Sequence, residues 1–205
     1  MIKYLAVFIV PIGYFLAIWF IPWENYFSLG SFSSSLTFDI VFILSFYTYF
    51  GTHNILGKFQ LKKIGIYSAL VLILATLCIG TSNAVGLNSP FRYLDYVFIK
   101  LLIVAPILEE FVFRGVFIEL GERVKLNRQV SSIINAFLFS LSHLPALWFL
   151  EDEFHGFIAF QLVYTVALGY ICAAARFKTK GVAVPVLLHF LFNLVFYIAI
   201  LKKFL

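Results

Sequence analysis

Charge is scarce in this chain: aspartate, glutamate, lysine and arginine together make up 12% of its 205 residues. Soluble globular domains carry about twice that fraction, so a fully solvated surface is excluded. Cysteine is nearly absent. Cys78 and Cys172 both lie inside apolar runs, which excludes a disulfide framework and makes them small packing residues. No His-Glu-x-x-His run and no Gly-x-Ser-x-Gly elbow occurs, so neither the usual helical zinc-protease site nor a serine nucleophile elbow is present. No internal repeat stands out. The apolar run after Met1 ends in Ile18-Trp19-Phe20-Ile21-Pro22-Trp23 without a small-residue cleavage site, which predicts an uncleaved first helix rather than a signal peptide. The net charge of +5 is dispersed in small basic groups between hydrophobic runs, a pattern that reports membrane orientation and excludes a nucleic-acid partner.

What the chain has in excess is hydrocarbon: 62% of its residues are hydrophobic, 26 are phenylalanine, and the mean hydropathy is +0.99. These values predict an all-α, polytopic transmembrane helix bundle. About 20 apolar residues cross a bilayer core. On that measure seven helices are expected, over 3–22, 36–56, 64–83, 94–118, 130–149, 156–176 and 182–201. They form one membrane domain, 1–205, with residues 1–89 as N-terminal helices and 90–201 as the core that carries the polar residues discussed below. A cytoplasmic N-terminus places Lys3, Lys58, Lys62, Lys63, Arg123, Lys125, Arg128, Arg176, Lys178 and Lys180 on the inner side. Arg92, Lys202 and Lys203 fall outside. Trp19, Trp23 and Trp148 then sit near the outer interface. Asp39 and His53 lie near opposite ends of helix two, where water can solvate them, and Pro11 is a tolerated kink in helix one.

The fourth hydrophobic stretch contains Glu109-Glu110-Phe111-Val112-Phe113-Arg114. Two carboxylates and a guanidinium at that depth are expensive and must be buried in protein, paired or engaged in chemistry. On a helix Glu110 and Arg114 share a face and can form an ion pair. Glu109 points roughly 100° away and is free to face something else. Two more pairs repeat the four-residue spacing: Phe139 with His143, just before Pro145, and His189 with Asn193. Rises of roughly 1.5 Å per residue put Glu109 on the order of 14 Å from the inner end of its helix, with His143, His189 and Asn193 at about 20, 10 and 17 Å. One shared site, built by helices four, five and seven, is therefore allowed.

Such a set has the parts for peptide-bond hydrolysis, which needs a base to activate water and donors to hold the tetrahedral oxyanion. Glu109 can act as base, with His143 sharing the water, while His189 and Asn193 donate to the oxyanion. Glu110 and Arg114 would fix the geometry of helix four. The same residues support rival readings: packing through interhelical hydrogen bonds, a proton-relaying transporter, or a zinc site using Glu109, His143 and His189 as ligands. The transporter reading lacks an inverted repeat or paired broken helices. A site without a metal is the expectation, with zinc as the alternative.

These residues resemble the CAAX prenyl endopeptidase and bacteriocin-processing (Abi) family of intramembrane proteases. Its three signatures occur in order: Glu-Glu-x-x-x-Arg as Glu109, Glu110 and Arg114, Phe-x-x-x-His as Phe139 and His143, and His-x-x-x-Asn as His189 and Asn193. The flanks Phe113-Arg114-Gly115 and His143-Leu144-Pro145 are also similar, and the resemblance covers about residues 90–197. It implies a glutamic endopeptidase in which Glu109 and His143 activate water and His189 with Asn193 forms the oxyanion hole. Glu110, Arg114 and Phe139 are supporting residues. Its partners would be the lipid bilayer and a membrane-associated protein or peptide substrate, lipidated ones included. The expected location is a prokaryotic inner membrane. A non-catalytic immunity or scaffold protein that keeps the protease fold remains the alternative function.

Overall fold

The computed structural model describes residues 2–21, 30–51, 55–59, 61–93 and 96–202, with side chains except at 2–5, 30–35, 62–63 and 92–93. Seven long helices run through these residues, and no strand occurs among them. They are α1 (Ile2–Phe20), α2 (Gly30–Phe50), α3 (Leu61–Val85), α4 (97–123), α5 (Arg128–Leu141), α6 (His155–Thr179) and α7 (Ala183–Leu201). Short helical turns at Pro90–Tyr93, Ala146–Phe149 and Asp152–Phe154 join them. Among the described residues, Ile64–Val85, Arg128–Phe149, Asp152–Thr179 and Ala183–Leu201 are long and apolar enough to cross a membrane. Ala6–Phe20 and Leu36–Phe50 are apolar but shorter. This is a helical membrane bundle, as its hydropathy predicts.

Several boundaries differ from expectation. α2 starts and ends about one and a half turns earlier than predicted, because hydropathy did not separate the Gly30–Ser35 start from a loop. The predicted fifth helix over 130–149 is two pieces. α5 stops at Leu141, residues 142–145 form turns, and a short helix follows at Ala146–Phe149. His143 is therefore in the turn ahead of Pro145, whose ring prevents the helix from running on unbroken. α4 continues past the predicted end to Arg123, and α6 continues to Thr179. Arg123, expected beyond the end of helix four, and Arg176, expected at the end of helix six, are thus both helical and paired. Arg123 meets Glu119 at 3.0 Å and donates to Phe50 O at 3.1 Å, while Arg176 meets Glu122 at 3.1 Å and Glu119 at 3.6 Å. Asp39, expected to be solvated, is half-buried and accepts a 2.9 Å hydrogen bond from Tyr14 of α1. Trp19 and Trp148 pack edge to face, their rings 6.0 Å apart. His53 and Trp23 lie outside the described residues, as do the side chains of Lys3, Lys62, Lys63 and Arg92.

α4 is the centre of the bundle, touched by α1, α2, α5, α6 and α7. Phenylalanine fills the space around it. Tyr14 and Phe15 of α1 pack on Phe113 and Phe117 at ring separations of 5.6–6.5 Å. Tyr164 of α6 meets Phe192 and Phe196 of α7 at 5.6 and 5.5 Å. Cys78 and Cys172 are both free and buried within this core, as small packing residues.

α4 is not a regular α-helix. Lys100–Val104 and Phe111–Phe117 are π-helical, with the six residues Ala105–Glu110 in ordinary α geometry between them. Around these wider turns, side chains from other helices donate to backbone carbonyls of α4. Asn135 Nδ2 of α5 donates to Phe113 O at 2.7 Å, and Arg176 Nε of α6 donates to Arg114 O at 3.1 Å. Such irregular backbone is tolerated at membrane depth only where protein satisfies it.

α5 and α6 make the most extensive contact of the bundle, and Gly169 permits it. A Cβ there would lie 3.0 Å from Ala136 Cα and 3.2 Å from Phe139 Cδ1. Small residues let membrane helices approach this closely. Gly169→Val is expected to lower stability by about 1–3 kcal/mol through overpacking, seen as a lower melting temperature of the detergent-purified protein. An unchanged melting temperature would mean that the α5–α6 contact is looser than described.

Candidate active site

The Glu110–Arg114 pair is formed as the helical spacing predicts. Arg114 Nη1 lies 3.0 Å from Glu110 Oε1, and both side chains are completely buried. The contact is charge pairing rather than an aligned hydrogen bond, since Arg114 Nη1 has no hydrogen-bond acceptor in line with it. Arg114 spends Nη2 on Gly169 O of α6 at 3.0 Å, and its guanidinium lies 4.5 Å from the centre of the Phe139 ring. One cation thereby ties α4 to both α5 and α6.

Glu110 carries the network on to α7. His189 Nδ1 is 2.9 Å from Glu110 Oε1. A carboxylate can only accept, so Nδ1 carries the hydrogen. The other ring nitrogen, Nε2, faces Glu109 Oε2 at 4.0 Å. His189 can donate from Nε2 only when doubly protonated.

The turn after α5 orients His143 in the same way. Its Nδ1 is 3.0 Å from Phe139 O, an acceptor only, so Nδ1 is again the protonated nitrogen and Nε2 keeps a lone pair. Ser142 supports this tautomer. Its hydroxyl donates to the same Phe139 O at 2.7 Å and has no hydrogen left for the ring 3.3 Å away. Phe139 is completely buried and stands nearly perpendicular to both imidazoles, at 5.2 Å from His143 and 5.6 Å from His189. It acts as the partition that keeps the two rings in place.

Asn193 is fixed by a proline. Within the first π turn of α4 the Ala105 N–H bonds to Lys100 O, and the next residue, Pro106, brings no N–H. The Leu101 carbonyl is left over, and Asn193 Nδ2 donates to it at 2.8 Å. One amide hydrogen of Asn193 is thus committed, leaving the second and the amide oxygen.

Glu109, Phe139, His143, His189 and Asn193 all line one cavity of about 170 Å³. The four polar residues thus share one space although the rise along their separate helices differs. Glu110 and Arg114 sit behind the cavity wall. Glu109 Oε2 is buried and has no hydrogen-bond partner in the protein. The walls are otherwise apolar, with Leu101, Ala105, Leu168, Phe192 and Phe196, and two polar residues of α6 also face the space: Gln161 and Thr165.

Some of these residues were not singled out by sequence reasoning. Pro106 was a legible signal for a broken helical ladder. Gln161 and Thr165 also stand four residues apart in an apolar run, the spacing that marked the other pairs. Asn135 and Arg176 gave no comparable signal, because which carbonyls of α4 they meet is decided by how α5 and α6 pack against it.

No group of three histidine, cysteine, aspartate or glutamate side chains among the described residues converges to hold a metal ion. Both histidines have the second-nitrogen hydrogen bond that metal-binding imidazoles favour, and His189 Nε2 and Glu109 Oε2 are 4.0 Å apart.

With the geometry in hand, comparison with known proteins is informative. The family model described as type II CAAX prenyl endopeptidase Rce1-like matches residues 93–195, which include all seven motif residues. The membrane-embedded CAAX protease MroQ of Staphylococcus aureus (strain USA300) is 34% identical over 133 residues, 62% of this chain and 50% of that protein. The chain therefore spans about half the length of the curated relative it matches. No solved structure matches it. The family match covers half of the sequence, including all of α4, α5 and α6 and most of α7, and on that extent this chain belongs to the Rce1-like type II CAAX prenyl endopeptidase family.

Proposed function

We propose that this protein is an intramembrane glutamic endopeptidase that hydrolyses a peptide bond of a membrane-associated protein or peptide. The observation that carries the reading is Glu109 Oε2, a buried carboxylate oxygen without a hydrogen-bond partner in the protein, facing a cavity shared with two histidines and an asparagine. A buried unpaired acceptor is costly, and a water molecule donating to it would remove that cost and be poised for attack.

In the reaction, Glu109 accepts a proton from water as its oxygen attacks the scissile carbonyl. The Nε2 lone pair of His143 accepts the water's second hydrogen bond and orients it. The carbonyl oxygen becomes an oxyanion, which His189 Nε2–H, in the doubly protonated ring, and the second amide hydrogen of Asn193 stabilise. Glu109 then returns the proton to the leaving amine, the C–N bond breaks, and a carboxylic acid and an amine result. Glu110 holds His189 through Nδ1 and is itself held by Arg114, so the pair acts through the histidine. No metal enters this scheme.

In the membrane, the lysine and arginine bias of the connecting segments supports a cytoplasmic N-terminus, with the prokaryotic inner membrane as the location. A substrate reaches the cavity from the cytoplasmic face or laterally between helices.

The reading is tested with a panel of membrane-anchored peptides in detergent. Glu109→Gln is expected to lower cleavage by at least about 10²–10⁴, the range for loss of a general base, with the wild type unaffected by a strong chelator. Loss of activity to the chelator and recovery with zinc would replace this mechanism with a metal-dependent one. Full biological effect of Glu109→Gln at equal expression would favour a non-catalytic immunity or scaffold protein. Asn193→Ala should cost about 10²–10³ in rate, as for one oxyanion donor; a change under about tenfold would remove Asn193 from that role. Arg114→Ala should destabilise the fold by about 3–5 kcal/mol, because it strands Glu110 without its cation. Measured as the detergent melting temperature, a loss no larger than that of a surface alanine substitution would sink the proposed role of the pair.

A further inference from the structure

Gln161 is a buried side chain for which neither the fold nor the hydrolytic scheme has a use. It lies one and a half turns into α6, is 9% exposed, and lines the same cavity as Glu109, His143, His189 and Asn193. Its carboxamide makes no hydrogen bond to any described residue, whereas three polar groups near it are engaged. Thr165 donates to Gln161 O at 2.7 Å, Ser140 of α5 donates to Leu162 O at 2.6 Å, and Asn193 donates to Leu101 O. The backbone beneath Gln161 is therefore pinned from its own helix and from α5, while its side chain is left open.

An uncommitted carboxamide in an apolar wall is a cost to the empty enzyme and a gain on complex formation, since a bound partner satisfies a group that the protein does not. The partner's chemistry follows from the group. A glutamine amide offers one acceptor and two donors, the complement of a peptide unit, which offers one N–H and one C=O. A lipid chain offers neither. We infer that Gln161 is a substrate-binding residue that hydrogen-bonds a main-chain peptide unit beside the scissile bond and holds the substrate backbone across the cavity from Glu109. This deepens the protease reading and rests on it. Recognition through the main chain selects for an extended, unfolded segment rather than for a particular side chain.

The test uses full-length protein in detergent and a fluorogenic membrane-anchored peptide from the panel above, with wild type, Gln161→Leu and Gln161→Asn. Gln161→Leu keeps the bulk and removes the hydrogen bonds. It is expected to raise KM about 10- to 100-fold, the range for leaving the substrate group unpaired, with kcat changed by less than about threefold, the pattern of lost uniform binding. Because the carboxamide has no partner in the protein, the melting temperature of Gln161→Leu should stay level or rise, where a structural glutamine would lower it. A second readout replaces one peptide link next to the scissile bond with an ester, which removes its N–H. The ester should weaken binding to the inactive Glu109→Gln protein but lose that effect in Glu109→Gln combined with Gln161→Leu.

No cleavage by the wild type would overturn the protease reading and this inference with it. Wild-type cleavage with KM unchanged in Gln161→Leu, or with a lower kcat at constant KM, would overturn this inference alone. So would an ester effect that persists without Gln161. Gln161→Asn, which shortens the reach by one methylene, should behave like Gln161→Leu; wild-type KM in that variant would also count against a fixed contact.

Discussion

The bundle depends on a completely buried charge pair. Arg114 and Glu110 face each other at 3.0 Å with no exposure to solvent, and a charge removed from water is tolerated only when its partners are arranged around it. Those partners come from three other helices: the Gly169 carbonyl and the Phe139 ring on one side, His189 on the other. The pair therefore sets the positions of α5, α6 and α7 relative to α4. Buried pairs seldom add net stability, because their desolvation offsets their attraction. What this one supplies is position, since few arrangements of the helices satisfy both charges at once.

The irregularity of α4 follows the same logic. A regular helix satisfies its own backbone and asks nothing of its neighbours. In the two π segments the Leu101, Phe113 and Arg114 carbonyls accept from Asn193, Asn135 and Arg176, and the Phe113 carbonyl also accepts the Ile118 N–H. π turns are frequent at functional sites, and here they flank the Ala105–Glu110 segment that bears both glutamates. Each of the three other helices contributes one polar side chain to α4, so the backbone irregularity itself becomes interhelical binding. The hydrocarbon strengthens this dependence, because it offers no water to a carbonyl left alone.

The two histidines illustrate how chemistry is set by a second contact. Each ring gives Nδ1–H to an acceptor that cannot reciprocate, Phe139 O for one and Glu110 for the other. In both cases Nε2 is left to act. The difference between them lies in the charge of that acceptor. A neutral carbonyl behind His143 suits a lone-pair role, and a carboxylate behind His189 suits a ring that carries positive charge. The Phe139 ring packs nearly perpendicular to both imidazoles.

Much of this was legible in the sequence. Hydropathy predicted a helical membrane bundle, because continuous apolar runs of about 20 residues satisfy their own backbone in lipid only as helices, whereas a barrel strand alternates apolar and polar residues. Four-residue spacing paired Glu110 with Arg114 and set Glu109 on a separate face, since helical geometry is local and needs no knowledge of neighbours. What only the tertiary structure decided was which groups are spent and which are free. The π turns, the commitment of Asn193 to Leu101, the burial of Arg176 and the open carboxamide of Gln161 all depend on where other helices come to lie. Hydrogen bonds between helices are long-range choices, and a linear pattern of apolar and polar residues records that a polar group is buried without recording what it meets.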